Sequence, residues 1–169
     1  MRAVLDTNVI IDLLHFADPE ALLLRAAIDD GSLQCFSDRP CLEELERVAT
    51  YPQFALDGRA QQALLEDYRG FVTLCEPEGV EDGEDGEAYR LPRCRDVDDQ
   101  KFLILARRCR ADLLITRDRE LLRLASRRRP APSCAIVSAA AAAAWLSAST
   151  DQPPASGTSA DDGEVAAGP

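Results

Sequence analysis

Residues 4–11 (VLDTNVII) and residues 113–118 (LLITRD) decide the fold class of this chain. Each stretch begins with a short run of large apolar residues that favour β-strands, and each run is followed within three positions by an aspartate, Asp6 or Asp118. A helical pattern follows both aspartates. We therefore predict two parallel strands that deliver their acids to one edge of a sheet, where open α/β sheets bind ligands.

Strand-like and helix-like segments alternate along the rest of the chain. The predicted strands cover 2–5, 33–36, 71–75, 113–115 and 134–137, and the predicted helices cover 7–15, 19–30, 38–50, 59–70, 98–110, 119–127 and 138–146. This order favours a three-layer α/β domain over residues 1–146, with a mostly parallel, twisted sheet of about five strands between helices. Residues 147–169 are polar and acidic, and we expect them to form a disordered tail.

The net charge of −11 comes from two segments rather than from the whole chain. Residues 76–87 hold seven acids and no base, and residues 151–169 hold four acids and no base. Residues 90–129 have the opposite balance, with Lys101 and twelve arginines. An RNA partner is therefore compatible with the sequence, although solvated helix faces would account for the same arginines.

The sequence offers no basis for a membrane protein or a secreted protein. It has no apolar run of the roughly 20 residues that a membrane span needs, and no basic segment leads into a long apolar one at the amino terminus. We expect a cytoplasmic protein without a membrane partner.

Acidic residues mark the predicted strand ends and the first turns of the helices that follow them. These residues are Asp6, Glu44, Asp98, Asp99 and Asp118. Each could simply cap a helix, because a carboxylate is favourable at a helix amino terminus. A cluster of carboxylates is costly unless a cation neutralises it, and Mg²⁺ or Mn²⁺ prefers oxygen ligands. We predict such a site, with Thr7, Asn8 and Thr116 donating hydrogen bonds that orient the acids.

Four motifs together resemble the PIN domain family, and within it the bacterial group of toxin components of toxin–antitoxin systems. They are VLDTNVII at 4–11, EELERV at 43–48 followed by YPQF at 51–54, RDVDDQKFLILA at 95–106, and LLITRD at 113–118. The resemblance covers residues 1 to about 146. It implies a PIN-like fold with a Rossmann-like sheet. It also implies a Mg²⁺- or Mn²⁺-dependent ribonuclease, with RNA as substrate, an antitoxin protein as a partner and a homodimer as a common assembly.

The same resemblance assigns roles to individual residues. It implies that the catalytic and metal-binding acids are Asp6, Glu44, Asp99 and Asp118, with Glu44 rather than its neighbour Glu43 because Glu44 directly precedes Leu45. The group commonly has three consecutive acids where this chain reads Asp98-Asp99-Gln100. Three arginines near these motifs are candidates for binding substrate phosphates: Arg95, Arg117 and Arg119.

Other chemistries fit the sequence less well. His15 is the single histidine, so a nuclease that uses a histidine pair is excluded within one chain, and neither a dinucleotide-binding GxGxxG nor a phosphate-binding GxxxxGK[ST] motif occurs. A haloacid-dehalogenase-like phosphatase also begins with a strand-end aspartate, but it usually has a second aspartate where this chain has Asn8. A PIN-fold module that binds RNA or protein without catalysis remains a further alternative.

Overall fold

A parallel β-sheet forms the centre of the protein. The computed structural model describes residues 1–16, 19–75 and 91–150. Within these residues the strands are β1 (Arg2–Leu5), β2 (Gln34–Ser37), β3 (Val72–Leu74), β4 (Leu113–Ile115) and β5 (Ala135–Val137). They lie in the order β3-β2-β1-β4-β5, and every neighbouring pair is parallel. The predicted five-stranded sheet is confirmed, and its described part is parallel throughout.

Helices cover both faces of this sheet. They are α1 (Thr7–Ile11), α2 (Pro19–Asp29), α3 (Arg39–Ala49), α4 (Gly58–Phe71), α5 (Gln100–Arg108), α6 (Arg119–Leu124) and α7 (Ala139–Thr150). Because side chains alternate along a strand, Leu5 and Leu113 enter the core that includes α1, α2, α4 and α7, whereas Val4 and Leu114 enter the core beside α5 and α6. The result is the predicted three-layer α/β arrangement.

Several helix boundaries differ from the sequence-based prediction, among them the end of α6, which lies at Leu124 rather than at Arg127. The helix predicted over 7–15 continues as a π-helical turn at Asp12–Phe16, and this wider turn keeps Leu13 buried while Phe16 reaches the surface. The last helix extends to Thr150 rather than ending near Leu146. The acidic segment 76–87 and residues 151–169 of the predicted tail lie outside the described residues.

The start of α5 also differs, and the difference concerns two of the candidate acids. The helix begins at Gln100, so Asp98 is not in its first turn and Asp99 occupies the N-cap position. A carboxylate oxygen of Asp96 accepts a hydrogen bond from the backbone N–H of Asp98 at 2.9 Å. Such a side-chain turn competes with helix formation, which explains the later start.

The order of the strands creates a crevice next to β1. From β1 the chain moves to β2 and β3 on one side, and later returns to form β4 and β5 on the other side. Leu5 and Ile115 are paired in register, and the backbone N–H of Asp6 donates to the carbonyl oxygen of Ile115 at 2.9 Å. The residues that follow β1 and β4 therefore emerge side by side at this crevice. None of the described helices combines the length and the apolar character needed to traverse a lipid bilayer.

Candidate active site

Asp6 lies at the carboxyl end of β1 with only 2% of its surface exposed. The hydroxyl group of Thr116, which follows β4, donates to Asp6 Oδ2 at 2.7 Å, and the backbone N–H of Asn8 donates to Oδ1 at 3.3 Å. Burial raises the pKa of the Asp6 carboxyl group, and these two hydrogen bonds oppose that effect by stabilising the charged form. Asp6 is thus a buried acid that is held in one orientation by its neighbours.

Asp118 is held next to Asp6 through the same threonine. The backbone N–H of Asp118 donates to Thr116 Oγ1 at 2.9 Å, so one hydroxyl group links the two acids. Asp118 also caps α6, because its Oδ1 accepts hydrogen bonds from the backbone N–H groups of Glu120 at 2.7 Å and Leu121 at 3.0 Å. Both capping bonds go to Oδ1, so Oδ2 is the oxygen that could ligate a cation.

Asp99 approaches this pair from the start of α5. It occupies the N-cap position, but its side chain makes no capping hydrogen bond, so helix capping does not account for its carboxylate. Burial raises the pKa of Asp99 to about 7, and four neighbouring carboxylates act in the same direction: Asp118, Asp6, Asp96 and Glu44. Mutual repulsion of this kind requires the groups to be near one another. Asp99 therefore lies within electrostatic range of the other three predicted acids, Asp6, Asp118 and Glu44.

Glu44 differs from the three aspartates because it already has a cationic partner. It lies on α3 and forms an ion pair with Lys101 on α5, with 15% and 22% of the two side chains exposed. Lys101 is the single lysine of the chain, and the sequence analysis gave it no role in the site. Its position directly after the Asp98-Asp99-Gln100 triplet was the one available signal. The ion pair offsets part of the negative charge of the cluster.

The carboxylate oxygens of the predicted acids suit a hard divalent cation, although in the described part of the chain they do not converge on one position. Carboxylate oxygen atoms are the ligands that Mg²⁺ and Mn²⁺ prefer. Among the residues that the structure describes, no three Asp, Glu, His or Cys side chains converge closely enough to hold a metal ion. Repulsion between unneutralised carboxylates and the pairing of Glu44 with Lys101 both favour this open arrangement.

The predicted supporting residues contribute unequally. Thr116 donates to Asp6 as described above, whereas Asn8 contributes its backbone N–H to the same carboxylate. The hydroxyl group of Thr7 is buried and has no hydrogen-bond partner in the described part of the chain, so it could donate to a group bound in the crevice. Asp98 is exposed.

The three candidate arginines lie at different places around the crevice. Arg117 forms an ion pair with Asp12, with its Nη1 atom 2.5 Å from Asp12 Oδ2, and it lines a cavity together with Asp118. Arg95 lines a separate, open cavity of about 570 Å³. Arg119 is exposed at the start of α6. Arg117 is therefore the candidate nearest to the acids.

Similarity to known proteins places the chain in a family. A family model described as PIN domain matches residues 2–120, a range that contains all four acids: Asp6, Glu44, Asp99 and Asp118. No curated protein matches the chain. The match extends over more than half of the sequence and over the strands that build the crevice, and from this we conclude that the chain belongs to the PIN domain family.

Proposed function

We propose that this protein is a Mg²⁺- or Mn²⁺-dependent endoribonuclease that hydrolyses phosphodiester bonds in RNA. Membership of the PIN domain family indicates a nuclease-type function, because PIN domains are generally nucleases. The observation that carries the proposal is that the buried Asp6 and the Asp118 backbone are both hydrogen-bonded to the hydroxyl group of Thr116 at the ends of β1 and β4. The charges of Asp6, Asp118 and Glu44 act on Asp99 and raise its pKa, in agreement with this arrangement. A carboxylate cluster of this kind is stabilised when a divalent cation binds.

The proposed metal ligands are Asp6, Asp99 and Asp118. Glu44 would contribute through a water molecule or to a second ion, which requires its ion pair with Lys101 to open. When bound, a divalent cation activates water for attack on phosphorus and stabilises negative charge on the phosphate oxygens. Thr116 keeps Asp6 and Asp118 in place for this chemistry.

The positive charge beside the acids supports a phosphate-bearing substrate. Arg117 is 59% exposed and directly follows Thr116, whose hydroxyl group donates to Asp6. We propose that Arg117 contacts a phosphate that flanks the scissile bond, with Arg95 and Arg119 further out. The proposed chemistry assigns no proton transfer to His15, whose ring packs against Phe16.

The resemblance to bacterial toxin components extends the proposal to the cell. We propose a cytoplasmic toxin that acts on cellular RNA and is inhibited by an antitoxin protein, with a homodimer as its assembly. Expression of the wild-type protein alone should then arrest growth, and the Asp6→Asn variant should not. Growth that is equally slow with both proteins would contradict a toxic ribonuclease.

One observation favours a second candidate function, a PIN-fold module that binds RNA or protein without cleaving it. Lys101 satisfies the charge of Glu44 without any metal ion, so part of the cluster is stable on its own. Such a module would bind RNA equally well with and without Mn²⁺, and it would not cleave it.

Cleavage of a single-stranded RNA in Mn²⁺ distinguishes the two functions. We expect the wild-type protein to cleave and EDTA to stop cleavage, whereas Asp6→Asn should be inactive and should melt no lower than the wild type. Asp112→Asn is the matched control, because Asp112 precedes β4 at the opposite edge of the sheet and accepts a hydrogen bond from the backbone of Arg2. Full activity of Asp6→Asn would refute the proposed site.

A further inference from the structure

A second cavity is lined in part by Asp118, one of the four acids. It has a volume of about 330 Å³ and is lined by Asn8, Ile11, Asp12, Phe16, Phe54, Arg117 and Asp118. This volume falls in the range of small-molecule pockets, roughly 300–1,000 Å³. Asp118 belongs both to this cavity and to the proposed metal site, so a group bound in the cavity would lie next to the reacting phosphate.

Two aromatic rings form one wall of this cavity. Phe16 ends the π-helical turn and is 55% exposed, and its ring centroid lies 6.2 Å from that of Phe54, which comes from the 3-10 turn at Pro52–Phe54. The ring of His15 lies behind Phe16 at 4.5 Å. π-helical turns are rare and occur frequently at functional sites. In this protein the π-helical turn places the exposed ring of Phe16 at the cavity instead of in the core.

A cation, the guanidinium group of Arg117, also lines the cavity. The guanidinium group of Arg117 is held at the cavity by the carboxylate of Asp12, which is only 15% exposed, while 59% of the arginine side chain remains accessible. An exposed aromatic face next to an arginine is the combination that binds one unstacked nucleotide, because the base stacks on the ring and the phosphate pairs with the cation. The side chain of Asn8, also in the lining, could hydrogen-bond to an edge of the base.

We propose that this cavity binds the base of the nucleotide adjacent to the scissile phosphate, with Phe16 as the stacking residue. The proposal rests on the proposed ribonuclease function and adds to it a subsite that contacts a base. In a duplex the base would have to leave its stack before it could contact Phe16, and this costs free energy. Single-stranded RNA should therefore be bound and cleaved in preference to duplex RNA of the same sequence.

The test combines a side-chain deletion with deletion of the base. A short, fluorescently labelled oligoribonucleotide is titrated with protein in EDTA, which prevents cleavage, and kcat/KM is measured separately in Mn²⁺. We expect Phe16→Ala to weaken binding about 5- to 150-fold, the range that stacking of one base on an aromatic ring gives. Phe16→Trp should restore binding. Leu23→Ala is the matched control, because Leu23 is 56% exposed on α2 and lines neither cavity.

Abasic probes show whether the lost contact is with a base. An abasic site is placed at each position of the probe in turn, and one position should reproduce the loss seen with Phe16→Ala. At that position Phe16→Ala should cause no further loss, because the ring has no base to contact. An additional, equal loss with every abasic probe would overturn the stacking proposal.

The remaining outcomes separate this subsite from the proposed function. If the wild type cleaves RNA and Phe16→Ala binds and cleaves it equally well, the subsite is refuted while the ribonuclease proposal stands. If Phe16→Ala keeps RNA binding but loses a protein partner, the cavity receives an apolar side chain of that partner and the nucleotide proposal is refuted. If the wild type neither binds nor cleaves RNA, both proposals fail.

Discussion

Replacing Asp99 with asparagine should stabilise the metal-free protein at neutral and alkaline pH. Burial and the neighbouring carboxylates raise the pKa of Asp99 from 3.8 to about 7 in the folded state. The folded protein therefore holds a proton that the unfolded chain releases, so the stability associated with this group is fully present below about pH 4 and is lost as the pH rises through 7. Asparagine carries no charge, so the variant should not lose this stability as the pH rises.

The expected size follows from the difference of about three pH units between the two pKa values. At about 1.4 kcal/mol per unit this sets an upper limit of about 4 kcal/mol. Asp99 is partly exposed, and screening by solvent reduces the effect, so we expect about 2 kcal/mol. For a chain of this length that corresponds to a rise in melting temperature of roughly 4–8 °C.

Thermal melting between pH 4 and pH 8 measures this difference. In EDTA, Asp99→Asn should melt several degrees above the wild type at pH 8 and close to it at pH 4. Mn²⁺ should raise the melting temperature of the wild type more than that of the variant, because the variant lacks a ligand. Asp98→Asn is the matched control, since Asp98 is the exposed neighbour of Asp99. An Asp99→Asn protein that melts at or below the wild type at pH 8 would refute the reasoning.

Substitutions at three further residues test the surroundings of the cluster. Thr116→Val should lower the free energy of unfolding by about 1–3 kcal/mol in urea titrations, because the buried Asp6 carboxylate loses a donor; an unchanged value would contradict this. Asp118→Asn should keep the cap of α6 and lose Mn²⁺ affinity in calorimetry, whereas Asp118→Ala should also lose about 1 kcal/mol of stability. Equal stability of the two variants would count against a capping role for Asp118. Lys101→Met should increase the difference between the melting temperatures in Mn²⁺ and in EDTA, because Glu44 loses the cation with which it forms an ion pair. An unchanged difference would show that the ion pair does not compete with the metal.

The fold could be predicted because its signals are local. Each strand is a short apolar run, each run is followed by a helical pattern, and parallel strands need such crossovers. Small differences arose where local signals compete. The turn that the Asp96 side chain forms delays the start of α5. The π-helical turn at Asp12–Phe16 has no distinct sequence pattern, because apolar residues lie on several sides of this segment.

The candidate site could be predicted only in part, because it depends on contacts between distant segments. Asp6 and Asp118 follow strand ends directly, and their proximity follows from the pairing of β1 with β4. Asp99 and Glu44 were chosen through resemblance to the PIN domain family, since a first-turn acid is also an ordinary cap. The ion pair between Glu44 and Lys101 depends on how α3 packs against α5, and the sequence does not encode that packing in any local pattern.

A crystal soaked in Mn²⁺ provides the most direct test of the central claim that these acids share a divalent cation. Anomalous scattering identifies manganese independently of any assumption about the ligands. We expect an anomalous peak between the carboxylates of Asp6, Asp99 and Asp118, with Thr116 still bonded to Asp6. A soak at a Mn²⁺ concentration that supports RNA cleavage, with no peak among these three side chains, would contradict the account.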